Sequence, residues 1–155
     1  MKRVTVGCPT KDRYNNLSLL LWSLLEQSFK DWDLLIIDDS EDRKDIREIS
    51  VFQHILRRLE KENHLWKVLF GVKKGPHWSH QQMVNSVDTE FLFRIDDDCC
   101  CDKNCLKNLV ETWSKLETQN IFKIGAIGPV VLDPSIPSEL EELPVGFLSF
   151  KKFQG

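Results

Sequence analysis

The sequence predicts an α/β fold, a mainly parallel sheet with helices on both faces. Three observations carry that reading. Apolar blocks of strand length alternate with blocks of helical period along most of the 155 residues. The run WDLLIID at Trp32–Asp38 is almost wholly apolar, the mark of a strand covered on both sides. Aspartates recur just past the strand-like blocks, and open parallel sheets bind ligands at the carboxyl ends of their strands.

Arg3–Cys8 (RVTVGC) reads as the first strand, closed by Pro9-Thr10. Asn16–Gln27 follows as a helix, with Leu17, Leu20, Leu21, Leu24 and Leu25 on one face. Trp32–Asp38 is the second strand. Asp42–Glu62 reads as charged and helix-permissive, with Ile46, Ile49, Phe52, Ile55, Leu56 and Leu59 giving a buried stripe. Trp66–Gly71 is the third strand, and Lys73–Pro76 a loop. His77–Val87 is the next helix, with Pro76 suited to its first turn. Glu90–Asp96 is the fourth strand, and Asp102–Leu116 a helix with Asp102 as its N-cap. Phe122–Leu132 (FKIGAIGPVVL) is a fifth strand interrupted by glycines. Residues 133–155 form a tail spaced by Pro134, Pro137 and Pro144.

A net charge of −3 with scattered basic residues disfavours nucleic-acid binding. No apolar run reaches the roughly 18 residues needed to cross a bilayer. The opening MKRVTVGCPT turns polar too soon for a signal peptide. The expected setting is cytoplasmic, without a transmembrane segment. Cys99, Cys100 and Cys101 are consecutive and lack the spacing of a zinc site, so they and Cys8 and Cys105 read as reduced thiols.

The acidic groups fall at strand ends: Asp12 after the first, Asp38-Asp39 after the second, Asp96-Asp97-Asp98 after the fourth. One aspartate can start a turn or cap a helix, and Asp38 alone is open to that reading. Three in a row exceed what a cap needs and point to a cation. The first strand leads into PTKDR, without Gly-x-Gly-x-x-Gly, and no phosphate-binding glycine loop follows. A bound phosphate would then depend on a metal.

Four blocks carry a resemblance to the family 2 glycosyltransferases of the GT-A, Rossmann-like fold. VTVGCPTKDR resembles the family's opening strand and turn. LLWSLLEQSFKDWDLLIIDDSED resembles its first helix, link and second strand end. FLFRIDDDCCCDKNCL is similar to its metal-binding strand end, and KIGAIGPVV to its next glycine-containing strand. The resemblance implies a nucleotide-sugar-binding domain over 1–132, the nucleotide-binding half, with 133–155 starting an incomplete acceptor region.

Carried over by position, the resemblance implies that Thr10 and Asp12 sit beside the nucleotide base and that Asp39 accepts a hydrogen bond from it, typically uracil. It implies that Asp98 ligates Mn²⁺ or Mg²⁺, with Asp96 as its Asp-x-Asp partner, and that Asp96 and Asp97 contact ribose or metal-bound water. Residues i and i+2 of an extended segment share a face, so Asp96 and Asp98 can address one cation. Hard oxygen donors suit Mg²⁺ or Mn²⁺ rather than zinc. The implied reaction transfers a sugar from a nucleotide-diphosphate donor, a UDP-sugar, to an acceptor hydroxyl on a glycan, lipid or protein, with inversion. The general base that this needs has no match; Glu139, Glu141 and Glu142 read as solvated charges. His80 stands where the family usually has an arginine, and Arg13 and Lys73 are further candidates for diphosphate contact. Two alternatives remain: a nucleotide-sugar-binding remnant without turnover, and a phosphoacceptor domain. The second is disfavoured because its acidic pair should follow the first strand.

Overall fold

The computed structural model describes residues 3–119 and 123–129. The chain divides into two units, Met1–Lys103 and Asn104–Gly155.

In the first unit the strands β1 (Val4–Thr10), β2 (Trp32–Asp38), β3 (Trp66–Phe70) and β4 (Phe91–Arg94) form one sheet in the order β3-β2-β1-β4. All pairings are parallel, with Val6 opposite Leu34 and Phe93. Three helices connect them: α1 (Tyr14–Leu25), α2 (Ser50–Lys61) and α3 (Pro76–Asn85). The expected class is therefore observed, with β2 at its expected bounds.

Right-handed crossovers decide which helix covers which face. The chain steps from β1 outward to β2 and β3, then returns past them to β4. That puts α1 and α2 on one face, packed together, and α3 on the other, against β1 and β2. On the α3 side Met83 is fully buried with Leu35 and Ile37, flanked by Leu69, Val87 and Leu92. Gly7 belongs to this side: a Cβ there would lie 2.6 Å from Met83 Sδ and 3.0 Å from Leu92 Cδ1. Strand alternation turns Val6 and Cys8 to the opposite face. The predicted leucine stripe of α1 is buried, as are Phe52, Ile55, Leu56 and Leu59 of α2.

The reversal of strand order between β1 and β4 opens the sheet's edge at the place where such folds bind ligands. The first strand runs two residues longer than expected, to Thr10, which carries Thr10 to that edge.

Three expectations need correction. Asp42–Glu62 is not one helix. The Asp45 carboxylate accepts Arg47 N–H at 2.9 Å, closing a single 3₁₀ turn at Ile46–Glu48, and Ile49 is extended before α2 begins. A side chain that bonds its own backbone competes with the helix there. β4 is shorter than Glu90–Asp96, although Ile95 N–H still donates to Gly7 carbonyl at 3.0 Å. In the second unit α4 spans Cys105–Gln119, and its first turn closes from Asn108 N–H onto Asn104 carbonyl at 2.8 Å. In the first unit the Asp102 carbonyl accepts from Gln27 Nε2 at 2.6 Å. Residues 123–129 are not in a strand, and the other positions of the expected fifth strand lie outside the described residues. So does the expected boundary at 132.

Among the described residues no helix is long and apolar enough to cross a membrane.

Candidate functional site

Sheet order brings the ends of β2, β1 and β4 side by side. Thr10 stitches them together. Its carbonyl accepts Asp39 N–H at 2.9 Å, and its hydroxyl donates to Asp97 Oδ2 at 2.6 Å.

At the end of β2, Asp38 is 1% exposed and accepts from Tyr14 Oη at 2.7 Å and from Ser40 N–H at 2.9 Å. Burial, aided by Asp38, pushes the Tyr14 phenol above its ordinary pKa, so it stays a donor. Asp39 is 8% exposed, and its Oδ1 accepts Lys73 N–H at 2.7 Å. Asp39 Oδ2 has no hydrogen bond among the described residues. Gly71 makes this packing possible: a Cβ there would lie 2.3 Å from Asp39 Oδ1. Lys73 reaches its place with a left-handed φ of 56°.

At the end of β4 the three aspartates diverge. Asp97 is fully buried, while Asp96 and Asp98 on either side are exposed. β4 has ended at Arg94, and in the turn at Asp97–Asp98 the contacts of Asp97 with Thr10 and Arg13 fix which carboxylate is buried. Arg13 reaches across from the loop after β1. Its Nε lies 3.3 Å from Asp97 Oδ2, its Nη2 2.5 Å from Asp97 Oδ1 and its Nη1 2.9 Å from Asp98 Oδ2. Desolvation pulls the Arg13 guanidinium down, but Asp97 and Asp98 together outweigh it and hold the proton more tightly than usual.

The loops around these ends are braced. Asp12 is left-handed (φ 57°), a conformation that Asp and Asn tolerate better than most residues. Its N–H donates to Ser40 Oγ at 2.8 Å, and its Oδ1 accepts Glu41 N–H at 3.0 Å. Lys73 Nζ pairs with Glu41 at 2.8 Å. The segment after the aspartates is tied to the end of α1: Cys101 N–H donates to Ser23 Oγ at 3.0 Å, and Ser28 N–H to Lys103 carbonyl at 2.8 Å. On the α3 side Arg94 Nη1 lies 3.2 Å from His80 Nδ1. Burial, then Arg94, lowers the His80 pKa, which suits a neutral acceptor rather than a phosphate-binding cation. All five cysteines are free. Burial, then Asp97, Asp96 and Cys99, keeps the Cys8 thiol well above its ordinary pKa.

A family model described as Glycosyl transferase family 2 matches residues 5–132. The chain belongs to glycosyl transferase family 2. No curated protein sequence matches it. Solved structures share the fold of this family 2 chain. S. aureus TarS is 23% identical, with TM-score 0.58 over 76% of this chain and 20% of its own. Its 1–349 fragment in complex with UDP-GlcNAc is 23% identical, with TM-score 0.58 over 74% of this chain and 32% of its own. The mannosyltransferase PcManGT from Pyrobaculum calidifontis, in complex with GDP-Man and Mn²⁺, is 17% identical, with TM-score 0.58 over 71% and 32%. This family 2 chain thus spans a fifth to a third of the solved chains it matches.

Of the residues singled out from sequence, Thr10, Asp12, Asp39, Asp96, Asp97 and Asp98 all lie at this edge of the family 2 sheet. They are not equivalent. Thr10, Asp12, Asp39 and Asp97 have polar atoms committed to protein partners, exposed Asp98 gives one carboxylate oxygen to Arg13, and Asp96 is exposed. Among the described residues no three His, Cys, Asp or Glu side chains could enclose a metal ion by themselves. Mg²⁺ and Mn²⁺ fit a different arrangement, one or two carboxylates completed by water and substrate phosphates. Exposed Asp96 and Asp98 suit that donor set.

Sequence reasoning missed Tyr14 and Gly71. Tyr14 is the only tyrosine in the chain and directly follows Arg13. Gly71 sits one step past Phe70, which pairs with Asp38, so parallel register alone sets it beside Asp39.

Proposed function

We propose that residues 1–132 bind a nucleotide-diphosphate sugar with a uridine base, for inverting transfer of the sugar to an acceptor hydroxyl. The observation that carries this is the continuous polar run Asp39–Thr10–Asp97–Arg13–Asp98 across the ends of β2, β1 and β4. Family membership supports it, as do neighbours solved with UDP-GlcNAc and with GDP-Man and Mn²⁺.

Asp39 Oδ2 takes the imide N–H of uracil, for which a carboxylate is a strong acceptor. Lys73 N–H and Gly71 hold that carboxylate in place before the base arrives. Thr10, Asp12 and Asp97 act as the frame around the nucleotide, since their own bonds fix the three loops. Asp96 and Asp98 hold Mn²⁺ or Mg²⁺. When bound, that ion supplies Lewis-acid stabilisation of the charge growing on the leaving diphosphate. Positive charge grows on the sugar, and the acceptor hydroxyl attacks its opposite face with help from a carboxylate base. Glu139, Glu141 and Glu142 lie outside the described residues, and the base is unassigned.

The test is thermal unfolding with UDP, Mn²⁺ or both. A ligand at about 100 times its Kd adds about 2.7 kcal/mol, a shift of several degrees. UDP should stabilise the chain only with Mn²⁺ present, and Asp98→Ala should lose that metal-dependent gain while remaining folded. An equal gain in Asp98→Ala, or a UDP response indifferent to Mn²⁺, refutes the reading.

A further inference from the structure

Three adjacent aspartates sit at the end of β4, and one guanidinium serves two of them. Its two limbs differ. The limb to Asp97 uses two nitrogens against a carboxylate that is fully buried and further fixed by Thr10. The limb to Asp98 uses one nitrogen, and both partners are about half exposed, at 49% and 47% of side-chain area. Exposed single-contact pairs contribute little and exchange readily, whereas a buried carboxylate resists losing its cation.

We propose that Arg13 is the resident counter-ion of the acidic strand end, and that a divalent cation takes Asp98 by displacing Arg13 Nη1 while the rest of the guanidinium stays on Asp97. This rests on the reading of Asp96 and Asp98 as cation-holding. A divalent cation on Asp98 meets the Arg13 guanidinium 2.9 Å from Oδ2, and the two positive charges repel whichever carboxylate oxygen the metal takes. Metal alone therefore meets a competing cation and strands a guanidinium N–H. A diphosphate arriving with the metal gives that released N–H a charged acceptor beside Asp98. Arg13 thereby makes uptake of metal and diphosphate cooperative: each is weak alone and favoured together. It is a positioning residue in this role, acting through Asp98.

The test uses the full chain and free Mn²⁺ measured by its electron paramagnetic resonance signal, with and without UDP. The variants are Arg13→Gln and the double variant Arg13→Gln/Asp97→Asn, which removes the buried carboxylate charge together with its cation and keeps the fold available. Without UDP, Arg13→Gln should bind Mn²⁺ about fivefold to tenfold more tightly, the scale of one exposed pair plus one nearby positive charge, and the double variant, which also loses the negative charge of Asp97, should gain less. UDP should tighten Mn²⁺ binding strongly in the wild type and less in the variants. A folded Arg13→Gln variant that binds Mn²⁺ no more tightly than wild type, or either folded variant keeping the full UDP effect, overturns the role of Arg13 while leaving the donor site standing. A wild type that takes up no Mn²⁺ even with UDP overturns both.

Discussion

At the end of β2 both aspartates are buried and their partners are a phenol and backbone N–H groups; at the end of β4 one aspartate is buried, two are exposed, and the partner is a guanidinium. The two ends carry the same residue type at neighbouring places on one sheet edge. The first balances its charge with neutral donors fixed by the fold, so its geometry is set and its negative charge kept. The second balances its charge with a cation, part of which lies in solvent. Fixed neutral donors suit recognition of one group in one orientation. An exposed ionic contact suits exchange of one cation for another.

The largest expected effect comes from the buried half of the ionic end. Arg13→Ala leaves Asp97 buried with Thr10 as its remaining hydrogen-bond donor. We expect a loss of about 3 kcal/mol, the low end for breaking a buried pair from one side, because Thr10 still donates. Asp98→Ala, which breaks only the exposed limb, should cost less than about 1 kcal/mol. Urea unfolding of the two variants measures this. Equal losses would mean that the limbs are equivalent and that burial of Asp97 does not matter.

Next is the neutral end. Tyr14→Phe removes the phenol that donates to buried Asp38 and should cost about 2 kcal/mol, as for a hydrogen bond to a charged acceptor. Raising salt sharpens the comparison. The penalties of Tyr14→Phe and of the buried limb lost in Arg13→Ala should hold nearly constant up to about 0.5 M salt, where screening is strong, while that of Asp98→Ala, an exposed limb, shrinks. A Tyr14→Phe penalty that fell with salt as steeply would erase the distinction between the two ends.

The same contrast explains what could be read from sequence. β2 is legible to the residue because a strand covered on both faces must be apolar throughout, and its end is marked by the change to aspartate. Asp96–Asp98 are legible as a cluster for the same reason. The sequence is silent on which aspartate turns inward, since that depends on where β4 stops and on Arg13, more than 80 residues away in the chain. The Asp102 carbonyl accepts from Gln27, a contact between segments 75 residues apart that no local pattern announces. Asp42–Asp45 misleads because a helix-permissive run does not reveal that Asp45 bonds Arg47 N–H. Local rules gave the elements, and the errors sit where a side chain bonds backbone.

The smallest effect is a pH dependence on the α3 side of the same edge. His80 faces Arg94, with Asp96 and His77 near enough to act on it, and its pKa is lowered first by burial and then by Arg94. The folded chain therefore binds a proton at His80 less readily than the unfolded chain, whose histidines titrate near pH 6.5. Between the folded and unfolded pKa values the unfolded state carries more protons, so stability rises with pH there. The contribution is complete above about pH 6.5 and is lost as pH falls through the lower folded value. Carboxylates held down by ion pairs, such as Glu62 beside Lys30 and Arg58, lose their contribution only at more acidic pH. Urea unfolding at pH 7.5 and near pH 5.5 should show wild type losing more stability on acidification than His80→Gln, whose amide can still accept from Arg94. The difference between the two slopes isolates His80 from the other histidines. Equal slopes would show that a protonated His80 sits beside Arg94 at no cost, and that this side of the edge is open enough for water to screen two cations from each other.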